Sequence, residues 1–349
     1  MDMKRSYYED IQLLGSRAKV FWFIVLLAFL AIAPFVLKSY YVYVITLMGI
    51  NILVALGLNI LVGNTGQISL GHAGFVAIGA YTTLMLILEF SLPLALALVI
   101  GGFTAAFFGF LLGLPALRLE GPYLAIATLA FGIAVAIIIG RTAIFGGHMG
   151  LSAPRLTLFG NPVTTDTGMY FITMSLVVVM AIFARNIIKS RVGRAFHAIR
   201  DSEIAASSMG VNVAGYKTLS FAISAFYAGI AGGLMAFVIG FINPGQFNFV
   251  LSIIYLATVV VGGLGTILGS VLGAVFITFL NLQMENIQHL FLIGDVLMWI
   301  SQNFLSVSGI PNVHWVFTGF ILILIVVFEP LGLYGIWLRI KIYWMRWPF

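Results

Sequence analysis

Residues Ser190–Tyr216 read SRVGRAFHAIRDSEIAASSMGVNVAGY, the longest polar interval in the chain. Arg185, Lys189, Arg191, Arg194, Arg200 and Lys217 lie in or beside it, opposed only by Asp201 and Glu203. Long apolar segments stand on both sides. A basic loop between apolar spans marks the cytoplasmic side of a membrane protein, because positive flanks resist translocation. Gly193, Gly210 and Gly215 divide the loop into two stretches that can be helical. Asp201 or Ser202 can cap the second, with Glu203 in its first turn and Gly210 as its stop. Ala205, Ala206 and Met209 would give that short helix a small, smooth apolar face, suited to a groove on another protein.

Of the 349 residues, 62% are hydrophobic and 8% charged, and mean hydropathy is +1.12. A soluble globular domain carries about 25% charged residues, so lipid must be the main solvent of this chain. It has no cysteine, which excludes disulfides and thiolate metal sites. The net charge of +6 does not imply nucleic acid, because its distribution has another cause. Of 17 Lys and Arg, only Lys38, Arg141 and Arg155 fall opposite the side that holds both termini, the central loop and Arg118. The 38 glycines suit close helix packing in membranes.

The chain is predicted to be all-α and polytopic, with about ten spans. Residues 1–19 form a polar cytoplasmic segment, 20–335 the membrane body with its loop at 190–216, and 336–349 a basic-aromatic interfacial tail. The predicted spans are 20–37, 41–62, one ending at Leu88, 92–114, 124–139, 170–183, 218–241, 250–261, 274–282 and 315–328. Ala31-Ile32-Ala33 resembles a signal-peptidase site, but Pro34 makes it a poor one, so the first span is read as retained. Residues 141–167 read as an external loop and 283–312 as external surface. An even count places both ends and the central loop on the same side. Ala225, Gly229 and Gly233 give the seventh span a small-residue face.

Two polar, glycine-broken stretches interrupt the apolar pattern. The first, GNTGQISLGHAGFVAIGAY, covers Gly63 to Tyr81, and the second is GGLGTILGSVLG after Val261. Such breaks at membrane depth are tolerated where they are buried in protein or line a water-filled path. Offset by 199 residues, Val62, Gly63, Gly66, Ile68, Gly74 and Val76 match Val261, Gly262, Gly265, Ile267, Gly273 and Val275. Paired broken segments in two halves point to a translocation path. Gly66, Gln67, Ser69, His72 and Gly265 are therefore its candidate residues. His72, Gln67 and Ser69 either offer hydrogen bonds to a passing zwitterion or satisfy backbone freed by the break. Gly265, Gly269 and Gly273, four apart, also form a small-residue stripe for helix packing.

Other chemistry finds little support. Gly210 to Thr218 reads GVNVAGYKT, but Tyr216 separates Gly215 from Lys217, so it is no phosphate loop. The five histidines lack metal-ligand spacing. No nucleophile and base stand together, so neither enzyme activity nor a cofactor is expected. Glu89, near a span end, is placed at the external interface. Arg200, Asp201 and Glu203 read as a salt-bridged docking surface. A secondary transporter would carry ionisable residues at mid-span, where this chain has almost none.

Glu203-Ile204-Ala205-Ala206 with Gly210 has the form E-x-A-A-x-x-x-G. It resembles the loop through which membrane subunits of ABC importers engage their ATPases. GQISLGHAGFVAIGAY, LPALRLEGPYLAIATLAFG and RVGRAFHAIRDSEIAASSMGVNVAGYK occur in order and together resemble the LivM-type permease of branched-chain amino-acid ABC importers, from about Val42 to Leu331. The resemblance implies a LivH-type partner permease, two cytoplasmic ATPases, an external substrate-binding protein and a plasma-membrane location. It implies ATPase coupling through Arg194, Arg200, Asp201, Glu203, Ala205, Ala206 and Gly210. A urea or short-amide importer is the nearest alternative.

Overall fold

The computed structural model describes residues 17–117, 119, 121–154, 157–158, 161–162, 166–285 and 313–346. The polar segment before residue 17, Arg118, Glu120, Arg155 and the stretch 286–312 lie outside the described residues. The structure is helical almost throughout. Its long helices are α1 (Arg17–Val36), α2 (Ser39–Leu58), α3 (His72–Phe90), α4 (Leu94–Ala116), α5 (Pro122–Arg141) and α6 (Asp166–Lys189). The polar loop then forms α7 (Arg191–Asp201) and α8 (Glu203–Ser208). There follow α9 (Val213–Ile239), α10 (Phe249–Gly262), α11 (Ile267–Glu285), α12 (Val313–Phe328) and α13 (Gly332–Arg346). Each of the ten expected spans overlaps one of these helices, although those at 20–37, 41–62, 92–114 and 218–241 overrun it by one to four residues.

Six helices among the described residues are long and apolar enough to cross a membrane: Ser39–Asn64, His72–Phe90, Leu94–Pro115, Pro122–Arg141, Asp166–Lys189 and Val213–Ile239. The apolar stretches Val20–Val36, Phe249–Gly262 and Ile267–Leu282 are shorter. Burial separates inner helices from outer ones. α2, α3 and α9 are mostly covered by protein, whereas α4, α5 and α6 leave most of their length to the surroundings. Phe103, Phe107, Ile126, Ile138 and Phe183 stand exposed on those outer helices, an arrangement that only lipid makes cheap.

α9 is the axis of the bundle, packed against α2, α3 and α4. Its small face meets α4 antiparallel: Ala225 lies at Gly109, Gly229 at Ala105 and Gly101, and Gly233 at Leu98. From the other side α3 presses in, and a Cβ at Gly79 would overlap the backbone of Gly229. In lipid no hydrophobic force draws helices together, so such backbone approach and scattered polar ties hold them. The ties are Asn51 Nδ2 to Thr278 Oγ1 (2.8 Å), Tyr227 OH to the Met180 carbonyl (2.8 Å) and Tyr170 OH to the Leu30 carbonyl (2.8 Å).

The boundaries differ from expectation around the polar loop. α6 runs to Lys189, and α9 begins at Val213, where Asn212 Oδ1 accepts the Gly215 amide. Caps with local side-chain partners let both helices extend beyond their apolar cores. On the opposite face, β1 (Leu151–Ser152) pairs antiparallel with β4 (Phe241–Ile242), which ties the loop after α5 to the loop after α9. β2 (Thr157–Leu158) pairs with β3 (Asn161–Pro162) within the former loop. The tail is α13 itself, starting at Gly332 rather than near 336. It is rooted where a Cβ at Gly332 would overlap the Val261 carbonyl.

Candidate functional site

α2 does not end as an α-helix. Asn59–Asn64 form a π turn, and the register shift is carried by side chains: Thr65 Oγ1 donates to the Ile60 carbonyl and Asn64 Nδ2 to the Asn59 carbonyl. The Asn59 amide instead turns outward from the helix. Its Oδ1 accepts the Gly265 amide at 2.8 Å and its Nδ2 donates to the Thr266 carbonyl at 3.0 Å. Thus the two glycine breaks matched in the sequence meet in space, so closely that a Cβ at Gly63 would overlap the Gly265 nitrogen. Gly265 has φ +78° and sits in this junction. The packing stripe holds only Gly269 and Gly273, which meet Gly262 of α10.

Beyond the π turn residues 66–71 form neither helix nor strand, opening on Gly66 at φ +76°, and burial alternates along them. Gly66 and Ile68 are exposed, while Gln67 and Ser69 are buried. The backbone freed by the break finds partners on other helices: the Leu70 amide donates to Thr128 Oγ1 (2.9 Å) and the Ala73 amide to Ser252 Oγ (3.0 Å). Sequence reasoning missed Thr128 and Ser252, since a hydroxyl in an apolar helix normally bonds its own backbone. It also missed Asn59, whose signal was a second amide, after Asn51, in a mainly apolar span. The side chains of Gln67, Ser69 and His72 do not satisfy the freed backbone. They are buried, and no hydrogen-bond partner meets their polar atoms among the described residues. Each such group costs about 1–3 kcal/mol when held dry and unpaired.

The polar loop packs directly beneath this junction. α7 is amphipathic, capped by Ser190, and buries Gly193, Ala195, Phe196 and Ile199. At its end Arg200, though still exposed like Arg194 and Asp201, reaches over the junction instead of joining Asp201 and Glu203. Its Nη1 donates to the Gly63 carbonyl at 2.5 Å, and its side chain lies over Gly66 and against Gly265. Ser202, not Asp201, caps α8 by accepting the Ala205 amide at 3.3 Å. Glu203 pairs with Lys217 at 2.5 Å, and only 4% of the lysine side chain is exposed. The expected surface network among Arg200, Asp201 and Glu203 is therefore replaced by two separate ties into the body. Arg194 and Asp201 point outward and are exposed.

The apolar face of α8 also differs from expectation. Ala206 is packed inward, and Ala205 is flanked by two protruding side chains, Ile204 at 81% exposure and Met209 at 85%. Gly210 has φ +81° and nothing around it, so its role is conformational. A larger residue there costs about 1–2 kcal/mol of strain without a clash. Glu203→Lys brings a second cation against the buried Lys217, a far larger penalty. The expected outcome is a protein that inserts normally but whose α8 is released, seen as faster proteolysis between Arg200 and Val213. Unchanged proteolysis would mean the pair does not seat the helix.

Between α8, the break and the turn before α5 lies a cavity of about 280 Å³, with Gln67, Ile68, Leu119, Glu203 and Lys217 in its wall. Hence the short exposed helix, the half-buried ion pair and the polar break form one continuous region on the loop face. Glu89 is exposed at the far end of α3, away from this region.

Outer helices with bare apolar side chains, a buried polar break at the centre and a short helix seated on the surface fit a multi-pass membrane protein. The chain belongs to the family described as branched-chain amino acid transport system / permease component, whose model matches residues 40–326. It is 36% identical over 289 residues to the high-affinity branched-chain amino acid transport system permease protein LivM of Escherichia coli K12, covering 75% of this chain and 68% of that protein. The LivM protein of Salmonella typhimurium is 37% identical over 225 residues, 57% of this chain and 53% of that protein. The autoinducer 2 import system permease protein LsrC of Photorhabdus laumondii is 32% identical over 112 residues, 30% of this chain and 33% of that protein. No solved structure matches. The chain is thus a multi-pass membrane protein of a transport family.

Proposed function

We propose that this chain is the membrane-spanning subunit of an ATP-binding-cassette importer that carries leucine, isoleucine and valine into the cell. A LivH-type permease, two ATPases and an external binding protein complete the assembly. The single observation that carries the reading is the similarity to LivM permeases over most of the chain. The capped helix α8, with Ile204 and Met209 projecting from it, supports it. The basic loop and both termini then face the cytoplasm, in keeping with the charge distribution.

Mechanically, ATP binding closes the two ATPases and moves α8 with them. Its ties to Lys217 of α9 and, through Arg200, to the Gly63–Gly265 junction pass that movement to the helices around the path. Coupling of this kind needs an element whose position differs between two states, and a docked surface helix on two electrostatic ties is such an element. The path residues are Gly66, Gln67, Ser69, His72 and Gly265. Gln67, Ser69 and His72 supply hydrogen bonds to a solute that has shed its water.

The test is uptake of labelled leucine by cells with and without the gene, challenged with unlabelled isoleucine, valine, urea or ribose. Uptake should fall on deletion, and isoleucine and valine should compete for what the intact cells take up, whereas urea and ribose should not. Loss of urea uptake with leucine unaffected would refute the cargo. Leucine uptake that persists through this chain when the ATPases are absent would refute the ATP-driven mechanism.

A further inference from the structure

We propose that Arg200 is a positioning residue that holds the loop-side end of the path shut, and that its release lets water reach Gln67, Ser69 and His72. The inference rests on the importer reading only in naming the path. Three observations carry it. Arg200 Nη1 donates to the Gly63 carbonyl at 2.5 Å and lies against Gly265, so one guanidinium closes over both glycine breaks. Arg200 also immediately precedes Asp201 and the capped helix α8, so movement of that helix must pull on it. Behind the junction, Asn64 Oδ1, the Gln67 amide, Ser69 Oγ and both His72 nitrogens are buried without a hydrogen-bond partner among the described residues.

Buried polar groups are nearly always paired. A run of unpaired ones within nine residues, all on a break that apolar sequence would have filled more stably, is explained if they are wet in a second conformation. The present arrangement is then the closed one. A guanidinium on a backbone carbonyl suits a reversible closure, since the bond can re-form without side-chain selection and the carbonyl can accept water when the arginine leaves.

The chain's lack of cysteine makes the test clean. Ser69→Cys and, as an exposed reference, Met209→Cys are made in the full chain in lipid nanodiscs and treated with a charged methanethiosulfonate. At rest Ser69→Cys should react at least ~100-fold more slowly than Met209→Cys, as expected for a site opened only in a minor conformation. Adding Arg200→Ala should raise the Ser69→Cys rate at least ~10-fold, and Arg200→Lys, which keeps a cationic donor, should restore most of the protection. Ala80→Cys, buried in α3 away from the junction, should stay unreactive in every background. Equal labelling of Ser69→Cys with and without Arg200 overturns the proposal. So does parallel exposure of Ala80→Cys, which would mean that Arg200 merely supports the fold. The assay needs neither cargo nor nucleotide, so its failure is separable from failure of the leucine uptake test.

Discussion

Gly79→Val lowers the melting temperature of the detergent-solubilised protein by about 4 °C, the equivalent for a chain of this length of a loss of about 3 kcal/mol. The reason is geometric. A Cβ at residue 79 would overlap the backbone of Gly229, and the axis helix cannot retreat, because Gly229 is itself pressed on Ala105, Gly101 and Gly102 of α4. Three helices therefore share one point of closest approach. Separating any two of them forfeits dispersion contacts along the whole of α9, in a solvent that offers no hydrophobic compensation. Gly319→Val is the control, because no described residue lies within 4 Å of the position a Cβ would take there. Scanning both variants by tryptophan fluorescence settles the matter, and a Gly79→Val protein that melts with the parent would sink the account.

The second large effect belongs to the loop. Ile204→Asp combined with Met209→Asp should cut co-purification of the ATPase and leucine uptake by at least about tenfold, as removal of apolar anchors does at protein interfaces. Neither side chain is packed in the body, since they are 81% and 85% exposed, so membrane insertion and melting should not change. Met149→Asp, an equally bare methionine on the opposite face, should leave the ATPase bound. Retention of both ATPase and uptake in the double variant would remove α8 from the docking surface.

Much of this architecture was legible before any coordinates. The apolar spans announce themselves because each must fill lipid over its length, and each glycine break stands out against them. The face of Ala225, Gly229 and Gly233 was readable from its spacing of four, and it meets α4 as such a face should. What escaped was set by tertiary placement. Six residues are too few for periodicity to fix the rotation of α8, so Ala206 was assigned outward when it packs inward. Arg200 looked like one more surface charge in a basic loop. Only the position of Gly63 beneath it gives the guanidinium an inward partner. Thr128 and Ser252 were invisible for the same reason, being single hydroxyls whose partners lie 58 and 179 residues away in the chain.

The Lys217–Glu203 pair, whose lysine is buried while the carboxylate stays partly exposed, also bears on how the protein can be handled. Counter-ions screen charges that water can reach, with a Debye length of about 3 Å at 1 M salt, and act far less on a pair whose cation is enclosed. The anchors offered outward, Ile204 and Met209, are uncharged. Strong brine that strips electrostatically bound peripheral proteins from a membrane should therefore leave the loop seated and, under the proposed function, the ATPase attached. Detergents, whose apolar tails compete for Ile204 and Met209, are the agents that would strip it.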